Sequence, residues 1–222
     1  MSMAERRVQL GRRMGVTGVV GVALTCLALG CSRAHDGGFS YADMPVATGT
    51  AQTGTGHSVT MRGNALSLAG KEIAVGTSLA DVELRTPSLA PVKLEPGKVR
   101  IISVVPSLDT PVCEQQTHYL SERNDGLDDS VELVTVSLDT PFAQGRFAKE
   151  AGIENVTFLS DNRNADFGRE NGLLVEGPHI LARAVMVVDA KNVIRYLQVT
   201  PELTELPDME AAFKAARELL DS

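Results

Sequence analysis

The pentapeptide Ser-Leu-Asp-Thr-Pro occurs twice in the chain, at 107–111 and at 137–141, and each copy follows an apolar run. The runs at 99–105 and 131–136 have the length and the β-branched content of buried strands. Thr-Pro is typical of a helix start, because threonine is a good N-cap residue and proline is favoured at the first helical position. The repeat therefore predicts two successive strand–turn–helix units.

One residue distinguishes the first unit: Cys113 stands where the second copy has Ala143. With Pro111 as the first helical residue, Cys113 is the third, where backbone amides still lack intrahelical partners. Those amides and the positive end of the helix dipole favour a thiolate, which is the nucleophilic form of cysteine. A free cysteine can also be a small buried core residue. Position alone leaves both interpretations open.

The remaining segments complete a mixed α/β pattern. Short alternating runs around Arg62-Gly63-Asn64 predict an N-terminal β-hairpin. Further strands are predicted at 155–159, 184–189 and 193–199, and helices at 111–123, 141–150, 164–171 and 207–220. This order of elements predicts one mixed central sheet flanked by helices on both faces, which is the plan of a thioredoxin-like fold.

Residues 1–30 have the layout of a secretory signal peptide, with a basic start and an uncharged run from 14 to 29. The run is shorter than the roughly 20 residues of a membrane span. Ala28-Leu-Gly-Cys31 resembles the bacterial lipobox, in which the cysteine is acylated, so we expect a lipid on Cys31. An ordinary signal peptide and an uncleaved anchor are the alternatives.

The segment 31–56 is rich in Gly, Ala, Thr and Ser, which predicts a flexible tether, and 57–222 is long enough for one folded domain. The expected location is the periplasmic or cell-surface side of a membrane, with an N-terminal lipid as the anchor. A formal net charge of -7 argues against nucleic acid as a partner.

Cysteine usage limits the chemistry further. Cys26 lies in the predicted signal peptide and Cys31 is the predicted lipid site, so Cys113 has no intramolecular partner. This excludes a disulfide scaffold, a Cys-x-x-Cys redox pair and a zinc site built on several cysteines. His, Asp and Glu residues show no metal-ligand spacing, and no glycine-rich phosphate loop is present, so we expect neither a metal nor a cofactor.

A family resemblance rests on these residues. Pro106-x-x-x-Thr110-x-x-Cys113 is similar to the active-site signature of peroxiredoxins, and Arg183 stands where that family has its distant arginine. Other segments resemble the bacterial thiol peroxidase branch in particular, and the resemblance runs from about His57 to Leu220. These segments are Gly63-Asn64, 141–147, 162–167 and 177–183.

The resemblance implies a role for each signature residue. Cys113 would attack the outer oxygen of a hydroperoxide, and Arg183 would donate to the sulfur and the peroxide. Thr110 would orient the substrate, and Pro106 would shield the sulfur from water. Each role has an alternative: Thr110 as an N-cap only, Pro106 as the end of a strand, and Arg183 as a strand-end charge that reaches solvent. The resemblance also implies a homodimer.

The chain departs from the family at one position. Most thiol peroxidases of this branch carry a resolving cysteine on the helix after the second strand, where this chain has Ala148. Thr135 likewise replaces a cysteine of some relatives. An intramolecular disulfide therefore cannot form, and an external thiol or thioredoxin-like reductant would have to reduce the sulfenic acid.

Three functions compete at this point. The first is a thiol-dependent peroxidase for hydrogen peroxide and organic hydroperoxides. The second is a peroxide-sensing or thiol-relay lipoprotein without high turnover. The third is a thioredoxin-like binding module without catalysis. Retention of all four signature residues, Pro106, Thr110, Cys113 and Arg183, argues against the third function. The missing resolving cysteine keeps the second open.

Overall fold

The computed structural model describes residues 38–221. The predicted signal peptide, Cys31 and the start of the predicted tether lie outside the described residues. One compact unit of the chain spans Phe39–Ser222. Within the described residues, no helix is long and apolar enough to cross a membrane.

Strands and helices alternate through the middle of the unit, as the two pentapeptide copies predict. The strands are β1 (Ser58–Met61), β2 (Asn64–Ala69), β3 (Leu84–Arg85), β4 (Pro91–Val92), β5 (Arg100–Val104), β6 (Glu132–Ser137), β7 (Thr157–Ser160), β8 (Leu174–Val175), β9 (Ile180–Leu181), β10 (Ala184–Val188) and β11 (Ile194–Val199). The α-helices are α1 (Pro111–Glu122), α2 (Pro141–Ala151), α3 (Asp166–Glu170) and α4 (Met209–Leu220), and a 3-10 turn covers Leu127–Asp129.

The central sheet has seven strands in the order β11-β10-β5-β6-β7-β3-β4. Strands β5, β6 and β7 are parallel, and the other pairs are antiparallel, which confirms the predicted mixed sheet. The register pairs Val104 with Val136, so both pentapeptides leave the sheet at the same edge. The turn that precedes Cys113 therefore lies beside its own repeat.

The two faces of the sheet have different covers. Neighbouring residues of a strand point to opposite faces, and accordingly Ile101 and Ile102 belong to different core clusters. The cluster of Ile101 includes residues of α1 and α4, and residues of α2 pack against it. The other cluster includes residues of α3 and of a second sheet, in the order β1-β2-β8-β9. The second face is thus covered largely by a sheet, which two-residue strands such as β8 and β9 were too short to predict.

The predicted boundary of the tether is wrong. From Phe39 onward the chain lies along the domain, where Ala47 N donates to Leu206 O (2.8 Å) and Ala51 N donates to Val199 O (2.8 Å). Thr53 is buried, with 1% of its surface exposed. Much of this packing is by backbone hydrogen bonds, of which the Gly- and Thr-rich composition gave no sign. The folded unit begins at Phe39 rather than at His57.

Candidate active site

Cys113 is the third residue of α1, at the position that the Thr-Pro helix start predicts. The side chain is fully buried, in the core cluster that also contains Val105 and Leu108. Burial is compatible with both interpretations of this cysteine, as a core residue and as a reactive thiol. The two interpretations differ in the polar neighbours that they require around the sulfur.

Arg183 is the informative neighbour. It lies between β9 and β10 and is 2% exposed, so its interpretation as a solvent-reaching charge is wrong. Its Nη2 donates to Cys113 Sγ (3.4 Å), its Nη1 to Gln116 Oε1 (2.7 Å) and its Nε to Leu203 O (2.9 Å). A buried charge needs a compensating partner. Among the described residues none of its partners is a carboxylate, so the sulfur is the one partner that can carry a compensating negative charge.

Gln116 completes this arrangement, and the sequence analysis missed it. Its side chain is fully buried one helical turn after Cys113. Its Nε2 donates to Ser103 Oγ (2.8 Å) and to Ala184 O (3.2 Å), so its Oε1 must face Arg183. Gln116 therefore fixes the orientation of the guanidinium. The signal in the sequence was a polar residue on the same helical face as the cysteine.

Thr110 and Thr140 occupy equivalent positions but bond differently. Thr140 caps α2, because its Oγ1 accepts from Ala143 N (3.3 Å). Thr110 precedes α1 at the N-cap position, yet its side chain makes no capping bond and donates instead to Ser107 O (3.1 Å). The interpretation of Thr110 as an N-cap only is therefore wrong. Thr110 is exposed, and within the described residues no hydrogen bond joins it to Cys113.

Pro106 is buried two positions after the last residue of β5, next to Val105, which shares the core cluster of Cys113. Both of its proposed functions, ending the strand and shielding the sulfur, are compatible with this position. Proline also withholds an N–H donor from the edge of the sheet.

The second pentapeptide copy supports the turn before Cys113. Asp139 accepts from Ser107 Oγ (2.8 Å) and from Leu108 N (2.8 Å). The equivalent Asp109 of the first copy is instead exposed over 89% of its side chain. Its Oδ1 lies 3.9 Å from Nη2 of Arg146. The parallel pairing of β5 and β6 brings the copies together, which the separate reading of each copy could not reveal.

Cys113 has no thiol partner in residues 38–221, since it is the one cysteine there. Ala148 packs against the same core cluster as Cys113, at the place where the resemblance expects a resolving cysteine. Thr135 is fully buried, and no group within residues 38–221 hydrogen-bonds its hydroxyl. Across the same residues, no group of three His, Cys, Asp or Glu side chains is placed to hold a metal ion.

Comparisons with known proteins agree with this geometry. The Redoxin family matches residues 74–213. A thiol peroxidase of Halalkalibacterium halodurans is 43% identical over 165 residues, which cover 73% of this chain and 99% of that protein. A thiol peroxidase of Streptococcus pneumoniae is 43% identical over 163 residues, with 72% and 99% covered.

Solved structures give the same result. A peroxiredoxin-like protein from Aquifex aeolicus is 36% identical, with a TM-score of 0.69 over 73% of this chain and 96% of that one. A thiol peroxidase from Chromobacterium violaceum is 23% identical, with a TM-score of 0.62 over 74% and 95%. The second likeness supports the fold, which is the thioredoxin-like α/β fold expected from the sequence.

Proposed function

The chain belongs to the Redoxin family and is a thiol peroxidase of the peroxiredoxin type, and we propose that Cys113 is the residue that its hydroperoxide substrate oxidises. The activity is thiol-dependent and serves antioxidant defence. The observation that carries the assignment of Cys113 is its 3.4 Å contact with Arg183, a buried guanidinium without a carboxylate partner among the described residues.

In the first half-reaction the Cys113 thiolate attacks the outer oxygen of the hydroperoxide. A sulfur–oxygen bond forms, the oxygen–oxygen bond breaks, and its electron pair leaves with the inner oxygen as an alkoxide or hydroxide. That anion takes a proton and departs as an alcohol or water, and Cys113 becomes a sulfenic acid. Arg183 holds fixed donors at the place where negative charge develops.

Thr110 and Pro106 have supporting roles in this proposal. Thr110 donates its own proton to Ser107 O, which leaves the lone pairs of its oxygen free to accept from the peroxide O–H. Its freedom from helix capping supports this role. Pro106, buried next to Val105, would limit water at the sulfur. A substrate held between Thr110 and Arg183 would have its reacting oxygen aligned with Cys113.

The second half-reaction uses external thiols. A first thiol attacks the sulfur of the sulfenic acid, forms a mixed disulfide and releases water. A second thiol then attacks the mixed disulfide, which restores the Cys113 thiol and releases an external disulfide. Ala148 at the expected position of a resolving cysteine supports this route. The reductant is a small thiol or a thioredoxin-like dithiol.

For location we propose an exported lipoprotein that is anchored through Cys31 and forms homodimers. The charge layout of residues 1–30 and the lipobox-like 28–31 support export and lipidation. An anchor would place the enzyme near lipid hydroperoxides, which belong to the organic hydroperoxides of its substrate class. Radiolabelled lipid should enter the wild-type protein and not the Cys31→Ala variant; incorporation into that variant would exclude this lipid site.

The peroxidase proposal is tested with residues 39–222, in which Cys113 is the only cysteine. Stoichiometric peroxide is added, and the sulfenic acid is trapped with dimedone while its formation is timed. Rapid trapping that is absent from Cys113→Ser supports the enzyme. Slow trapping would favour the peroxide sensor instead. No trapping, together with loss of peroxide no faster than with free cysteine, would exclude Cys113 as the reacting residue.

A further inference from the structure

The segment Phe39–Ala47, here called the strap, crosses the outer side of α1. Gln115 of α1 binds it with both ends of its amide: Ala42 N donates to Gln115 Oε1 (2.8 Å), and Gln115 Nε2 donates to Ala42 O (2.9 Å). Gln115 is 4% exposed and lies two positions after Cys113. The strap is therefore attached to the first turns of the helix that carries the reactive sulfur.

Aromatic side chains of the strap hold the second half of α1. The ring of Phe39 stacks on that of His118, with 3.9 Å between the ring centroids. The Tyr41 hydroxyl donates to Glu122 (2.8 Å), and the guanidinium of Arg123 lies 4.8 Å from the centroid of the Tyr41 ring. The strap thus contacts α1 along most of its length.

The other end of the strap binds the segment that holds Arg183. Leu206 N donates to Pro45 O (2.8 Å), and Ala47 N donates to Leu206 O (2.8 Å). Three residues earlier, Leu203 O accepts from Arg183 Nε. One short segment therefore joins the helix of Cys113 to the loop that positions its arginine, and it lies outside the residues that the Redoxin family matches.

The burial of Cys113 limits which reactants can reach its sulfur. A surface pocket of about 340 Å³ beside the start of α1 is lined by Thr110 and Pro111 but not by Cys113. A hydroperoxide is small, whereas a reducing thiol must bring its own sulfur in line with the sulfur–oxygen bond. Because Cys113 is fully buried, either reactant needs an opening at the first turns of α1, and a reducing thiol needs the larger one.

We propose that the strap holds the first turns of α1 in place and thereby limits the access of reducing thiols to oxidised Cys113. This inference rests on the proposed function, in which Cys113 is oxidised and then reduced by external thiols. Release of the strap, by a partner or by tension on the chain before Phe39, would speed the second half-reaction more than the first.

The test compares residues 39–222 with the single variants Gln115→Ala and Phe39→Ala. The rate at which biotin-maleimide modifies reduced Cys113 and the rate at which dithiothreitol reduces its sulfenic acid should both rise roughly tenfold, in line with the loss of two ordinary hydrogen bonds or one ring stack. Alanine has a high helix propensity, so Gln115→Ala does not weaken α1 by itself. The rate of oxidation by peroxide should change less than twofold.

Thr140→Ala is the matched control, since it removes one capping bond from α2 and leaves the strap intact. Unchanged rates in Gln115→Ala and Phe39→Ala, or an equal rise in the control, would overturn this proposal. Tyr41→Phe, which removes a single hydrogen bond to Glu122, serves if Phe39→Ala fails to fold. If the wild-type protein formed no sulfenic acid with peroxide, that result would instead contradict the proposed function.

Discussion

Arg183 Nη2 lies 3.4 Å from Cys113 Sγ, although the two residues are 70 positions apart in the chain. Both side chains are buried, and Gln116 binds the same guanidinium from the helix that carries the cysteine. This contact is the observation on which the proposed role of Cys113 rests. It also defines what substitutions at the site should do.

Arg183→Lys should slow the oxidation of Cys113 by about 100-fold or more, because an ammonium group cannot reproduce the planar donors that reach Cys113, Gln116 and Leu203. Stopped-flow measurement of sulfenic acid formation checks this expectation. Arg195→Lys is the matched control, since Arg195 pairs with Asp189 and its side chain is 46% exposed. A rate within twofold of wild type in Arg183→Lys would contradict the role of Arg183.

Gln116→Leu should lower both stability and rate. It leaves Arg183 Nη1 without its acceptor inside the core, which costs about 1–3 kcal/mol of unfolding free energy. Since the guanidinium loses its orientation, oxidation of Cys113 should also slow about tenfold. Urea unfolding and stopped-flow oxidation measure the two effects.

Gln144→Leu is the control for that variant. Gln144 is equally buried and binds Ser137 Oγ (3.0 Å) and Leu159 O (2.9 Å), but no arginine. It should lose stability with little change in oxidation rate. If both variants slow oxidation equally, Gln116 acts only through the stability of the core.

Thr110→Val should mainly lower the peroxide rate, whereas Thr140→Val should mainly lower the stability. Thr140→Val removes the cap of α2 and should cost about 1 kcal/mol of stability, with little change in peroxide rate. Thr110 makes no capping bond, so Thr110→Val should lower the rate about tenfold or more with a smaller loss of stability. A thermal unfolding curve and a peroxide assay on each variant decide the matter, and a normal rate in Thr110→Val would remove Thr110 from the site.

Stability should fall as the pH rises through about 6, because of Asp161. Burial raises the pKa of this carboxyl from 3.8 to about 6, although Phe167 N and Gly168 N donate to it. The folded state therefore binds a proton that the unfolded state has released. The stabilisation is complete below pH 4 and is lost between pH 4 and 6, by about 3 kcal/mol.

Urea unfolding at several pH values checks this, and Asp161→Asn should remove the dependence within that window. Asp129→Asn, at an exposed carboxyl, should leave this pH dependence in place.

Glu202 affects stability in a lower pH range. Burial opposes its ionisation, but donors that include Gly63 N and Arg62 N lower its pKa to about 2. Its contribution is present above pH 4.5 and is lost as the pH falls toward 2.

Local patterns predicted much of the fold. The Thr-Pro helix starts predicted α1 and α2 to within one residue, since proline and the preceding threonine act on the backbone next to them. Strands β8 and β9 were missed because two residues are too few to show a period. The strap was missed because it is held by contacts with α1 and with Leu206, far along the chain.

The sequence by itself determined that a cysteine stands at the third position of a helix after a buried strand, with no thiol partner after Cys31. Those properties depend on neighbours within a few positions of Cys113. Only the tertiary structure decided that Arg183 meets the sulfur and is held there by Gln116. It also decided that the Thr140 side chain caps its helix whereas the Thr110 side chain does not. Sheet pairing and core packing produce these contacts between distant positions, and the local sequence around each residue does not contain them.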